Sequence, residues 1–311
     1  MEDVARQAGV SIATVSRTLR GKPNVAATTR GRVLRAAAEL SYVVSPIASG
    51  LATGRTGAVG VLVPYASRWY FGQVVAGAEA VLGESGLDLL LYNLGDQAAR
   101  QRFFDRQPLR RRVDAVLAVA MSFTGPELAA LHGLRVPMAV VGTGDTDPGA
   151  VASVRIDEAA TVGQAMRHLI DLGHRRIAMI STYADQNMWL PVAHERRRGY
   201  LAALTAAGLV PDERLVISVP FSVGDGERAA AELLDLDDPP TAILAESDEL
   251  AFGALTALRR AGVAVPGRVS VVGIDDHDVS RLLDPTTVRQ SVFGQGALAA
   301  RLLTDALRRR G

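Results

Sequence analysis

From residue 58 onward, short runs of Val, Leu, Ile and Ala alternate with stretches whose apolar residues recur every three to four positions. The runs 59–64, 87–92, 113–119 and 137–142 lack polar alternation, which predicts strands buried on both faces. Helical patterns at about 71–85, 97–108 and 125–132 separate them. After Ile156-Asp157 the alternation restarts: helix 158–172, strand 176–181, helix 195–208, strand 215–219, helix 225–235, strand 242–245, helix 248–262 and strand 270–274. A chain of 311 residues is long enough for two or three domains. Two successive βα arrays imply two doubly wound parallel-sheet lobes, with helices on both faces of each sheet. In such folds a ligand binds beyond the carboxyl ends of the strands, which here means the cleft between the lobes.

The first 57 residues do not share this pattern. Residues 3–20 read as two short helices joined by a tight turn. Val4, Ala5 and Ala8 form one apolar face, Gly9 suits the position after a helix end where φ is positive, and Ser11 is a good N-cap for a second helix from about Ile12 to Arg20. At 100° per residue Val15, Thr18 and Leu19 fall inward, while Ile12, Ala13, Ser16, Arg17 and Arg20 form one outer arc. An exposed arc of small residues plus Arg fits a major groove, where Arg pairs with guanine O6 and N7. The alternative at this point is an ordinary helical hairpin with a solvated charged face. Residues 25–42 read as a third helix with Val33, Leu34, Ala37 and Leu40 inward.

Three further segments narrow the choice: Ser45-Pro-Ile-Ala-Ser-Gly-Leu51, then Thr53-Gly-Arg-Thr-Gly57, then the strand-like Ala58-Val-Gly-Val-Leu-Val-Pro64. Together with "DVA..AGVS.ATVSR.L.G" from Asp3 to Gly21, this order resembles the lactose-repressor (LacI/GalR) family of bacterial transcription regulators over nearly the whole chain. The resemblance implies an α/β protein: a small all-α helix-turn-helix head (1–44), a hinge helix and linker (45–57), and a periplasmic-binding-protein-like core (58–311). Lobe 1 would take about 58–156 and 289–311, and lobe 2 about 157–288. The chain would cross between lobes three times, near 150–157, near 284–290 and at the end of the second lobe's partner helix, with a helix at 293–309 returning to lobe 1.

The resemblance also implies roles. Ile12, Ala13 and Arg17 would read bases, Thr14 and Ser16 would anchor phosphates, and Asn24 would add a backbone or base contact. In the hinge, Ala48 and Leu51 would meet DNA, Leu51 as a wedge in the minor groove. In the core, Asp157, Arg196 (three before Gly199-Tyr200), Ser247, Asp248 and Asp275 match the effector pocket; carboxylates that accept hydroxyl protons and an Arg that donates suit a carbohydrate. Tyr70, Phe71, Trp189 and Phe221 are candidate stacking faces. The expected partners are a palindromic double-stranded operator, a small-molecule effector and a second copy of the chain as a homodimer.

Composition bounds the function classes. Residues 1–57 carry eight Lys/Arg against three Asp/Glu, a net of +5, so with +1 overall the remainder sums to −4. Such asymmetry points to a polyanion-binding head on a near-neutral body. There is no cysteine, hence no disulfide or thiolate metal site. The lack of a signal sequence and of an 18-residue apolar run predicts a soluble cytoplasmic protein without membrane contact. Gly142-Thr-Gly-Asp lacks the third glycine of a dinucleotide fingerprint, and Asp275-Asp-His-Asp278 points its side chains in different directions, so neither a cofactor nor a metal is expected. His174, after Gly173, would favour a helix C-terminus as a cation. No nucleophile–base pair stands in a motif, so no catalytic residue is assigned. The competing classes are a small-molecule binding protein without a regulatory role and a sugar-modifying enzyme on the same fold.

Overall fold

A computed structural model describes residues 1–19, 21, 23–42, 55–142, 152–182 and 190–310. The chain divides into two compact units, Met1–Gly57 and Ala58–Gly311. In the first, α1 (Glu2–Ala8), α2 (Ile12–Leu19) and α3 (Ala27–Glu39) enclose a core of Val4, Ala5, Ala8, Val15, Val33, Ala36 and Ala37. Gly9 ends α1 at φ 62°, ψ 43°, and the Ser11 hydroxyl accepts from Thr14 N at 3.3 Å, starting α2. Leu34 and Leu40 are exposed, contrary to the sequence expectation. The inward stripe of α3 is 33-36-37; Leu34 lies about 100° around the helix from Val33, and Leu40 is already the residue that ends it.

The second unit holds two five-stranded, fully parallel sheets. The first comprises β1 (Ala58–Val63), β2 (Asp88–Asn93), β3 (Ala115–Val119), β4 (Met138–Val141) and β5 (Ala152–Val154), in the order β2-β1-β3-β4-β5. Helices α4 (Trp69–Glu84), α5 (Gln97–Arg106) and α6 (Gly125–His132) connect its strands. β1, β3 and β4 are buried at every position, as continuous apolar runs in a two-sided sheet should be.

After α7 (Glu158–Asp171) the second sheet is built from β6 (Ile177–Thr182), β7 (Val216–Val219), β8 (Ala242–Ala245), β9 (Ser270–Asp275) and β10 (Thr286–Arg289), in the order β10-β9-β8-β6-β7. Between them lie α8 (Leu190–Ala206), α9 (Val223–Leu234), α10 (Asp248–Arg260) and the short α11 (Ser280–Leu283). Among the described residues the chain passes between lobes twice, at 155–157 and 290–291, where three crossings were expected.

The last helix, α12 (Val292–Arg309), belongs to the first lobe: Val292, Ala299, Ala300 and Leu303 join the core of the first sheet. α12 and α4 touch backbone to backbone. A Cβ at Gly296 would lie 2.0 Å from Val74 O and one at Gly77 2.0 Å from Phe293 O, so only glycine fits at either position.

Candidate functional site

The carboxyl ends of the strands in both sheets converge on a small recess. Tyr70, Ala120 and Gly142 line it from the first lobe; Glu158, Val192, Arg196, Phe221, Glu246, Ser247 and Asp275 line it from the second, and Gln290 from the crossing segment. Every polar wall residue stands at a strand end or in the first turns of a helix, because the parallel topology sends those positions to one edge.

Arg196 is the centre of the second-lobe wall. It is 6 % exposed; its Nε donates to Glu158 Oε2 at 2.7 Å and its Nη1 to the backbone oxygen of Glu246. Burial alone would lower its pKa, but the carboxylates of Glu158, Glu246 and Asp275 outweigh that and raise it, so the cation is permanent. Its neighbours in sequence have other partners: Arg197 pairs with Glu213 and Arg198 with Glu195, both more exposed. Glu246 accepts from the Ser181 hydroxyl, from Thr182 N at 2.9 Å and from Thr182 Oγ1 at 3.0 Å, which anchors its carboxylate to the end of β6.

Asp275 terminates β9 with φ 138°, a sparsely populated backbone region for a non-glycine residue. The turn is held on both sides: Asp276 N donates to Thr287 Oγ1 at 3.2 Å, and His277 N to Asp248 Oδ2 at 2.8 Å. The Asp275 carboxyl takes a bond from Gln290 Nε2 at 2.5 Å. Burial pushes its pKa up to about 8, with Asp248 and Glu158 adding to the rise and Arg196 and Gln290 opposing it. The upward shift favours the protonated form of Asp275 near neutral pH.

From Asp275 a chain of hydrogen bonds leads into the first lobe. Gln290 Oε1 accepts from Gln295 Nε2 at 3.0 Å, and Gln295 Oε1 from the Tyr70 hydroxyl at 3.5 Å. Two more contacts join the lobes beside the recess. Arg68 pairs with Glu249 at 3.4 Å, and the Trp69 ring stacks on His277 with centroids 4.7 Å apart and planes at 26°. The indole Nε1 of Trp69 is buried without a hydrogen-bond partner among the described residues.

The residues expected to bind a ligand therefore divide. Tyr70, Arg196, Phe221, Ser247 and Asp275 line the recess. Phe71 does not: it is fully buried in the first-lobe core, because α4 begins at Trp69 and its sheet-facing stripe runs through Phe71, Val74 and Ala78. Asp157 caps α7, accepting from Ala160 N at 2.9 Å, and Glu158 takes the place facing Arg196. Asp248 has no exposure and is occupied by His277 N, the Ser280 hydroxyl at 3.0 Å and the Thr287 hydroxyl at 2.6 Å, so it braces the turn behind Asp275.

Ser247 faces the recess, but its hydroxyl accepts from Leu250 N at 3.3 Å and caps α10. His174 is not a free cation at a helix end. Its ring bridges the Thr241 and Ser270 hydroxyls, and burial with the nearby His168 lowers its pKa. Trp189 lies outside the described residues, as do Arg20, Ala48 and Leu51. Glu158, Glu246 and Gln290 were not anticipated. Each stands directly beside a position that was singled out or at a crossing, which is the only signal the sequence holds for them.

On the head, Ile12, Ala13 and Arg17 are exposed along one side of α2, with Thr14 and Ser16 half-buried beside them and Asn24 exposed beyond the helix. Arg17 Nε rests on Ala13 O at 3.3 Å, while Val15 and Thr18 face the core. A three-helix unit that buries one side of its second helix and exposes an arginine flanked by small side chains can present that side to a base-pair edge.

Comparison with known proteins decides what this pairing of head and cleft represents. Residues 1–45 match the family model for bacterial regulatory proteins of the lacI family, and residues 166–311 match the periplasmic binding protein-like domain. Catabolite control protein A of Priestia megaterium is 32 % identical over 305 residues, covering 97 % of this chain and 90 % of that protein. The chain belongs to the LacI family. It is a DNA-binding transcriptional regulator of that family. The repressor CytR of Escherichia coli (strain K12) is 30 % identical over 310 residues, covering 99 % of this chain and 89 % of CytR.

Among solved structures, the complex of the regulator CelR with cellobiose is 33 % identical, covers 100 % of this chain and 93 % of CelR, and superposes with a TM-score of 0.74. The lac repressor dimer bound to operator superposes with a TM-score of 0.86 at 24 % identity, over 99 % of this chain and 92 % of that one, a likeness of fold. This LacI-family chain has relatives that are regulators rather than enzymes, and none of its described helices is long and apolar enough to cross a membrane.

Proposed function

We propose that the protein is a homodimeric repressor whose affinity for a palindromic operator is gated by an uncharged polyhydroxylated effector, a carbohydrate, in the recess between the lobes. The observation that carries this reading is the group Glu158–Arg196–Asp275, in which Arg196 and Asp275 are buried and Glu158 is partly buried, set against Tyr70 of the other wall and Gln290 of the crossing segment. Fixed donors and acceptors, several of them buried, select a ligand by its hydroxyl pattern. The carboxylates of Glu158 and Glu246 against the single Arg196 guanidinium leave the wall net negative, which disfavours phosphate or carboxylate on the ligand. Phe221 supplies an apolar face, and Tyr70, its pKa raised by burial and by Glu158 and Asp275, remains a neutral donor. The structures of CelR with cellobiose and of an Enterococcus faecium regulator with ribose are consistent with a sugar.

Gating requires that the ligand bind two lobe arrangements with different free energies. The contacts available for this are the Asp275–Gln290–Gln295–Tyr70 chain and the Trp69–His277 stack. The Trp69 N–H, buried without a partner among the described residues, is a donor whose surroundings would change as the lobes part. In the head, Arg17 would carry the hydrogen-bonded part of base recognition, Ile12 and Ala13 the apolar part, and Thr14, Ser16 and Asn24 the backbone contacts.

The test is binding of the purified chain to palindromes upstream of its own and adjacent genes, at two salt concentrations, with and without a panel of sugars and nucleosides. Site-specific binding that shifts with one neutral sugar supports the proposal. Affinity that does not depend on sequence would overturn it, and specific binding indifferent to every ligand would overturn the gating.

A further inference from the structure

One edge of the net-negative core is strongly basic. In a parallel sheet the N-terminal ends of all strands share an edge, and in the first lobe it is tightly assembled. Asp114 N donates to Ala58 O at 2.7 Å and Val116 N to Pro137 O at 2.9 Å, which lays the segments entering β1, β3 and β4 side by side. Arg110, Arg111 and Arg112 form the turn before β3, and Arg135 lies just before β4. Helices α5 and α12 run the opposite way and end at the same edge with Arg106 and with Arg308, Arg309 and Arg310. Arg310 Nη1 donates to Arg135 O at 3.0 Å and fixes the end of α12 there.

All eight arginines are exposed. The carboxylates facing them from the same edge are Glu84 at the end of α4, Asp88 at the start of β2, Asp105 on α5, Asp114 before β3 and Asp305 on α12, which leaves a surplus of three positive charges. Asp305 pairs with Arg308 at 3.5 Å and Asp105 accepts from Gln101 at 2.8 Å. Among the described residues Arg106, Arg110, Arg111, Arg112, Arg135 and Arg309 take part in no ion pair. Arg106, Arg308 and Arg309 complement helix C-termini, which explains their presence without any partner. Arg110, Arg111, Arg112 and Arg135 sit in turns and have no such role.

We propose that this edge is a second DNA contact, in which Arg110–Arg112 and Arg135 bind the phosphate backbone of duplex flanking the operator. Guanidinium groups match phosphate oxygens two at a time. The chain passes from the head into the core at Ala58, the start of β1, whose N-terminal end lies on the same edge beside β3, so any duplex the head holds is joined to this edge by the chain itself. The inference rests on the family's DNA-binding role and adds a sequence-independent term to it.

The experiment uses the full chain and fluorescence anisotropy on one palindrome, placed in a duplex of about 20 base pairs and in one of about 40, two and four helical turns. The wild type should bind the longer duplex more tightly, with a steeper fall against salt. The triple variant R110Q/R111Q/R112Q should lose that advantage. Its salt slope on the long duplex should fall by up to about 2.7, roughly a 40-fold smaller loss of affinity between 50 and 200 mM salt, with the short duplex unchanged.

A second variant, R135Q/R309Q, should shift the long-duplex slope in the same direction, and an unaltered thermal transition in both keeps the comparison one of binding. Equal slopes for wild type and both variants on the long duplex would overturn the proposal. So would a patch that binds polyglutamate but not flanking DNA, which would assign it to an acidic protein. Absence of specific binding on both lengths in the wild type would instead remove the operator reading on which the inference stands.

Discussion

Replacing Asp275 by Asn tests the electrostatics of the cleft in isolation. The carboxyl is 5 % exposed, and burial with neighbouring carboxylates lifts its pKa from 3.8 to about 8. The folded state therefore keeps a proton that the unfolded chain releases near pH 4. Between about pH 4 and pH 8 the native state binds one more proton, so this group's contribution to stability falls as pH rises, by about 1.4 kcal/mol per unit. Summed over the window, the loss is about 5–6 kcal/mol.

Asn copies the protonated acid in shape and cannot titrate, and its Oδ1 can still accept from Gln290. In urea unfolding of the full chain, the variant-minus-wild-type difference should therefore grow by about 1.4 kcal/mol per pH unit from pH 5 to 7 and level off above pH 9. A difference that stays flat from pH 5 to 9 would refute the reasoning, because it would mean that Arg196 holds Asp275 ionised at its ordinary pKa.

Arg196→Met should destabilise the core by about 3–5 kcal/mol by leaving the partly buried Glu158 without its cation, and Arg196→Met combined with Glu158→Leu should recover most of that in a thermal or urea double-mutant cycle. Gly296→Ala should lower the thermal midpoint more than an ordinary surface change, since the added Cβ meets Val74 O at 2.0 Å; overpacking of this kind costs about 1–3 kcal/mol or more. Arg17→Ala should weaken specific operator binding by about 1–3 kcal/mol and leave binding to unrelated duplex nearly unchanged, as read by competition anisotropy.

The strands of the core were legible because a sheet covered on both faces demands uninterrupted apolar runs, and β1, β3, β4 and β8 are such runs. β5 and β10 were not: with three and four residues each and polar side chains among them, they show no period, and both stand next to a lobe crossing. The site failed by single steps. α4 starts two residues earlier than its pattern suggests, which turns Phe71 inward. At the start of α7, Asp157 caps the helix and Glu158, about 100° further round, meets Arg196. Asp248 is spent inside the protein because Asp275 occupies a strained turn that must be braced from behind. One-dimensional spacing places a residue at the right edge of the sheet, but hydrogen bonds decide which of two neighbours faces the ligand.

The central claim is that cleft and operator are coupled, and coupling of binding free energies is reciprocal. The decisive measurement is the affinity of the active sugar for the wild-type chain, free and saturated with operator, beside the affinity of operator with and without that sugar. The account predicts that both affinities change by the same factor, about 5- to 150-fold, corresponding to 1–3 kcal/mol. A sugar that binds the recess with one and the same affinity whether or not operator is present would contradict it.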